Sequence, residues 1–187
     1  MSRLTLPQGA ACNDCMRIFM GLAAVALFAL AGSAGEWKLV WPAIWTLGAN
    51  IREAGWPACG EIDIMEYVGH DPGVVHANVH TRGYNHARGT GRGAWTRVPD
   101  AEKTFHVYAV EWTPEKLDFF MDDTKYFTLD NDKTGLDSWP FDAPQYLILN
   151  LAIGGAWGGQ QGIDDAIFPQ RFIIDFVRVY QRPGAGG

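Results

Sequence analysis

Between residues 36 and 181 the apolar side chains fall in short segments, several with strict alternation, and turn residues punctuate them. A period of two is that of a β-strand with a covered face. The pattern predicts strands over 38–46, 60–67, 74–81, 105–112, 116–121, 124–129, 146–153 and 171–181. Asp71-Pro72-Gly73, Asp122-Asp123, Pro140 and Pro169 mark breaks, because Pro lacks a ladder donor and Gly and Asp enter turns readily. Phe105, Val107 and Ala109 alternate with His106, Tyr108 and Val110, so both faces of that strand read as covered. Leu117, Phe119 and Met121 face a hairpin return at Tyr126-Phe127. The stretch 82–97, rich in Gly and Arg, reads as a solvated loop, and 164–168 as a single helical turn. Such elements predict an all-β antiparallel sandwich.

One strand crowds charge of a single sign. Glu61-Ile62-Asp63-Ile64-Met65-Glu66 sets three carboxylates among apolar residues. Like charges on one face repel and raise one another's pKa. A solvated edge strand would tolerate them. Glycoside hydrolysis with retention would require them, as a nucleophile and a proton donor about 5–5.5 Å apart. With alternating faces and a rise of ~3.3 Å per residue, Glu61 and Asp63 share a face and Glu66 has the wrong parity. One extra residue in a β-bulge corrects this, with Met65 the candidate to be absorbed. The glutamate Cα atoms then lie about 13 Å apart. Side chains leaning in by about 4 Å each leave a carboxyl gap near that of a retaining mechanism.

Around this strand stand Trp41-Pro42-Ala43-Ile44-Trp45-Thr46-Leu47-Gly48, Gly55-Trp56-Pro57-Ala58-Cys59-Gly60 and Val75-His76-Ala77-Asn78-Val79-His80. Further along come Phe105-His106-Val107-Tyr108-Ala109-Val110-Glu111-Trp112, Tyr146-Leu147-Ile148-Leu149-Asn150-Leu151-Ala152-Ile153-Gly154-Gly155 and Asp175-Phe176-Val177-Arg178-Val179-Tyr180-Gln181. This ordered run, from Trp41 to Gln181, resembles the family 16 glycoside hydrolases, and among them the laminarinase branch of endo-β-1,3-glucanases. The resemblance implies a jelly-roll, concanavalin-A-like sandwich with the acidic strand on its concave face. It implies Glu61 as nucleophile, Glu66 as general acid and then base, and Asp63 between them, sharing a hydrogen bond with Glu61. The clustered negative charge is expected to raise the pKa of Glu66, and the three groups to titrate as a coupled set. The implied substrate is a laminarin-type β-1,3-glucan. A non-catalytic β-glucan-binding module, and a family 16 enzyme or transglycosylase for another β-glucan or a galactan, stand as alternatives. Family members carry early strands that find no counterpart here, so the sandwich is expected to be incomplete at its N-terminus. The family also tends to bind a structural calcium. Asp175 matches its C-terminal ligand, but one carboxylate does not make a site. No other cofactor, and no active-site metal, is expected.

The 187 residues, 48% hydrophobic, suffice for one domain with a real core. A formal charge of −6 argues against nucleic acid or an anionic membrane as partner and suits a neutral polysaccharide. There is no Walker-type phosphate loop and no Cys/His cluster with zinc spacing. The eight Trp residues change the picture more, since a flat indole can cover the apolar C–H face of a sugar. Trp41, Trp45 and Trp56 shortly precede the acidic strand at positions that the resemblance places in the cleft, and Trp157 sits in a Gly-rich loop. His80 matches a cleft position and is a candidate to hydrogen-bond a sugar hydroxyl, whereas His76 and His106 read as structural. Four residues apart on a strand, His76 and His80 lie ~13 Å from each other and make a weak metal pair.

Residues 16–34 read as a secretory leader. Arg17 precedes an apolar run, Ile18 to Ala31, that is short for a membrane span, and small residues offer cleavage points at Ala31 and Ala34. The expected organisation is an upstream and leader segment at 1–34, a catalytic domain at 35–182 and a tail at 183–187. The expected product is a secreted or periplasmic monomer without membrane contact after cleavage. Cys12 and Cys15 precede the leader, and no thioredoxin-like context follows them. Cys59 is left alone, so no disulfide framework is expected.

Overall fold

The computed structural model describes residues 40–162 and 165–180, which form two antiparallel sheets. The larger contains β1 (Val40–Gly48), β2 (Glu61–Tyr67), β3 (Val74–His80), β4 (Arg92–Arg97) and, from later in the chain, β8 (Gln145–Ile153). Their spatial order is β4-β3-β2-β1-β8. The smaller sheet takes β5 (Tyr108–Trp112), β6 (Lys116–Met121) and β7 (Thr124–Asp130) in sequence order. One short helix, α1 (Ile51–Ala54), follows β1. The leader segment, Cys12, Cys15, Gln181 and the tail lie outside the described residues.

The core lies between the sheets. Ile62, Ile64, Met65 and Tyr67 of β2 and Val75, Ala77 and Val79 of β3 meet Tyr108, Val110, Leu117 and Phe119 of the small sheet. Phe119 and Phe127, partners across β6 and β7, stack at 5.1 Å. Burial of Ile62, Ile64 and Met65 contributes about 1.5–3 kcal/mol apiece. That gain offsets the cost of crowding carboxyl groups on the opposite face of the same strand.

Four expectations need correction. The segment 82–97 is not all loop: Arg92–Arg97 forms β4 and pairs with β3, while His86–Arg88 makes a 3₁₀ turn. An edge strand needs only one covered face, so its Gly and Arg content hid it. Residues 105–107 precede β5 rather than joining it; there His106 lies between Asp100 and Asp122 instead. At 171–180 the chain makes a single bridge at Phe172 and otherwise finds no ladder among the described residues. Its apolar alternation records that Phe172 packs on the core, which does not require a paired backbone.

The fourth correction concerns the bulge. Against β1, Met65 pairs with Ile44 and Asp63 with Trp45, so Ile64 is the unpaired residue. Against β3 the register also slips between Asp63 and Glu66. Both Ile64 and Met65 are fully buried. Two successive side chains thus face the core, and the parity of everything after them is reversed.

Candidate active site

The reversal puts Glu61, Asp63 and Glu66 on one face of β2, beside Trp41 and Trp45 of β1 and Asn150 of β8 in a common cleft. The register runs Leu47–Glu61–His80, Trp45–Asp63–Asn78 and Ala43–Glu66–His76 across β1, β2 and β3. Opposite residues in an antiparallel pair project to the same side. His76, Asn78 and His80 therefore belong to the acidic face.

Glu66 is 7% exposed and takes two neutral donors. The Trp41 indole N–H donates to Oε1 at 3.0 Å, and the Asn78 amide donates to Oε2 at 2.7 Å. Burial pushes its pKa up to about 7; the two donors pull it down, and the charge of Glu61 adds a smaller upward push. The expectation gave the raising to clustered charge, but desolvation is the larger cause. Asn78 has room to reach Glu66 because its partner on β4 is Gly93. A Cβ there would lie 2.1 Å from Asn78 Oδ1.

At the other end of the strand, the Trp56 indole N–H donates to Glu61 Oε2 at 2.8 Å. Burial raises the pKa of Glu61, against hydrogen bonds from Trp56 and Asp63 and the field of His86. Asp63 is 3% exposed; burial first, then the charges of Glu66 and Glu61, hold its pKa well above the ordinary value. A hydrogen bond donated by Asp63 to Glu61 adds to the rise at Asp63 and works against the rise that burial causes at Glu61. His80 Nε2 lies 3.3 Å from Asp63 Oδ2 and 3.8 Å from Glu61 Oε1. These contacts are not ion pairs near neutral pH, because burial, aided by His86, brings His80 down to about 4. The same three side chains bring ligating atoms within 4.8 Å of one another, and are the cluster of metal-ligating type among the described residues.

The Glycosyl hydrolases family 16 profile matches residues 17–177, a span that begins inside the apolar leader-like segment and ends in the last extended stretch. The chain belongs to that family. A beta-glucanase of Rhodothermus marinus is 52% identical over 148 residues, which cover 75% of this chain and 52% of the relative. The chain thus spans about half the length of that curated relative. Among solved structures, the laminarinase from Flavobacterium sp. UMI-01 superposes with a TM-score of 0.78 at 43% identity, over 88% of this chain and 68% of that one. The laminarinase from Rhodothermus marinus gives 0.78 at 44%, over 89% and 66%.

All five sugar-binding candidates of this family 16 chain gather round the acidic strand. Trp41 and Trp56 each donate to a glutamate, and Trp45 donates to Asn150 Oδ1 at 2.7 Å. Trp157 meets Trp41 edge-on at 5.2 Å and His76 at 4.9 Å. His80 stands between the Glu61 and Asp63 carboxyls and the rings of Trp56 and His86. Asn78, His86 and Asn150 were missed. Strand parity with His80 was the signal that could have found Asn78; His86 and Asn150 come from a distant loop and strand, and only tertiary pairing brings them in. Asp175 is exposed and joins no cluster of three ligating side chains among the described residues.

Proposed function

We propose that this chain is a retaining endo-glycosidase that hydrolyses β-1,3-glucosidic bonds in laminarin-type β-glucans by double displacement. The observation that carries the reading is the pair of glutamates on one bulged strand, facing one cleft from unequal environments. Glu61 attacks the anomeric carbon while Glu66, protonated below about pH 7, gives its proton to the departing oxygen. The glycosyl–Glu61 ester forms as the glycosidic bond breaks. Glu66, now a carboxylate, takes a proton from water, and the water oxygen displaces Glu61. Asp63 holds Glu61 in line through their hydrogen bond. The indoles of Trp41, Trp45 and Trp56 offer apolar surface to the pyranose rings.

The 52%-identical beta-glucanase and the two laminarinase structures support a β-1,3-glucan as substrate. A polymeric substrate and the leader-like segment at 16–34 together support action outside the cytoplasm. Reducing-sugar release from laminarin tests the reading, with Glu61→Ala as control. Release by the parent protein and none by the variant is expected. Equal release by both would overturn the assignment, and saturable laminarin binding without release would assign a binding module instead.

A further inference from the structure

The acidic face extends beyond the residues assigned so far. Ala43 on β1, Glu66 on β2, His76 on β3 and Trp95 on β4 are successive register partners. They make one row across the sheet, at right angles to the strands and on the cleft side. Burial agrees with that placement. Val75, Ala77 and Val79 of β3 point into the core, which leaves His76 outward; Ala94 and Thr96 of β4 are half-buried, whereas Trp95 is 60% exposed.

A lone exposed apolar side chain needs no explanation on most surfaces. Position sets Trp95 apart. It stands at the rim of the sheet in register with Glu66, and no aromatic ring packs on it among the described residues. Gly93, two residues earlier on the same face, carries no side chain, so β4 stays low between Asn78 and the sheet edge. Strands spaced by ~4.8 Å put the Trp95 Cα about 10 Å from that of Glu66.

We propose that Trp95 is an outer sugar platform, which holds a pyranose of the β-glucan chain two strands beyond Glu66. The proposal rests on the glucanase reading above. Continuity with the cleft names the occupant: a chain bound across the strands at Glu66 runs past His76, against which Trp157 packs edge-on, toward Trp95. An indole presents a large flat surface with few rotors to immobilise, which suits the C–H face of a pyranose.

The test is calorimetric titration in a Glu61→Gln background with β-1,3-linked gluco-oligosaccharides of graded length, disaccharide to hexasaccharide. Trp95→Ala is expected to weaken hexasaccharide binding by about 5- to 10-fold and disaccharide binding by less than about 2-fold. Trp95→Phe should recover most of the loss, and thermal melting should not change. Equal losses at all lengths, or no loss at any length, would overturn the platform. So would a Glu61→Gln parent that fails to bind the hexasaccharide. Laminarin hydrolysis by the parent protein is measured alongside: oligosaccharide binding that depends on Trp95 without hydrolysis would retain the platform while rejecting the enzyme.

Discussion

Glu61 and Glu66 sit on the same strand, face the same cleft and each accept a hydrogen bond from an indole N–H. Their surroundings otherwise diverge. Glu66 is closed in by Trp41 and an uncharged amide, and burial leaves it half-protonated near pH 7. Glu61 is more open; burial still raises its pKa, but hydrogen bonds from Trp56 and Asp63 and the field of His86 pull the other way. Two identical side chains are thus given unequal surroundings on one strand, and such an asymmetry is the requirement for an acid and a nucleophile to coexist.

The largest test of this asymmetry is to remove each member in turn. Glu61→Ala should abolish laminarin turnover. Glu66→Ala should lose roughly 10²–10⁴-fold, the usual contribution of a general acid–base group. With an activated aryl glycoside, azide should rescue Glu66→Ala with retained configuration. Rescue of Glu61→Ala should instead give the inverted azide, and the reverse pattern in product analysis would exchange the two roles.

The second effect is on pH. Activity should fall as pH rises through about 7, where Glu66 loses the proton it must donate. Stability should follow the same group. Its folded pKa lies above the ordinary carboxyl value of 4.5, so between the two the folded chain holds a proton that the unfolded chain has released. The contribution is therefore complete below about pH 4.5 and is lost as pH climbs past 7, amounting to about 3 kcal/mol at most. Denaturant titrations at pH 5 and 8 should show Glu66→Gln flattening that slope; an unchanged slope would place the titration elsewhere.

Smaller shifts separate the two ends further. Asn78→Ala removes a donor that favours the Glu66 anion, so the alkaline limb of the rate profile should move up, by roughly one pH unit. A downward move would contradict the hydrogen bond. His86→Ala removes a field that lowers the pKa of Glu61, so the acidic limb should move up by the smallest margin, while the alkaline limb stays in place.

The parts of this arrangement that were readable from the chain are those written in local periodicity. Alternating apolar residues gave β2, β3 and β6 nearly to the residue, because burial on a pleated surface demands that period. The wrong parity of Glu66 demanded a bulge, since a regular strand cannot bring it beside Glu61. Which residue would be skipped was not readable: Ile64 and Met65 are both apolar, and register against β1 decides it. β4 escaped notice because an edge strand with Arg92, Gly93 and Arg97 has one face to cover and little apolar signal. His86 could not be placed beside Trp56 from a loop of unknown path. The last segment, 171–180, has a strand's composition without a strand's partner among the described residues.

The slip at Ile64–Met65 has an evolutionary corollary. Deleting either residue would restore strict alternation and shift the final glutamate by one place, where parity again aims it at the sugar. The acidic trio would survive the deletion on its own side, and the loss would fall on the interior, which would forfeit one packed side chain. Catalytic geometry and core volume are therefore separable in this strand, and a lineage can exchange one for the other by gaining or losing a single codon.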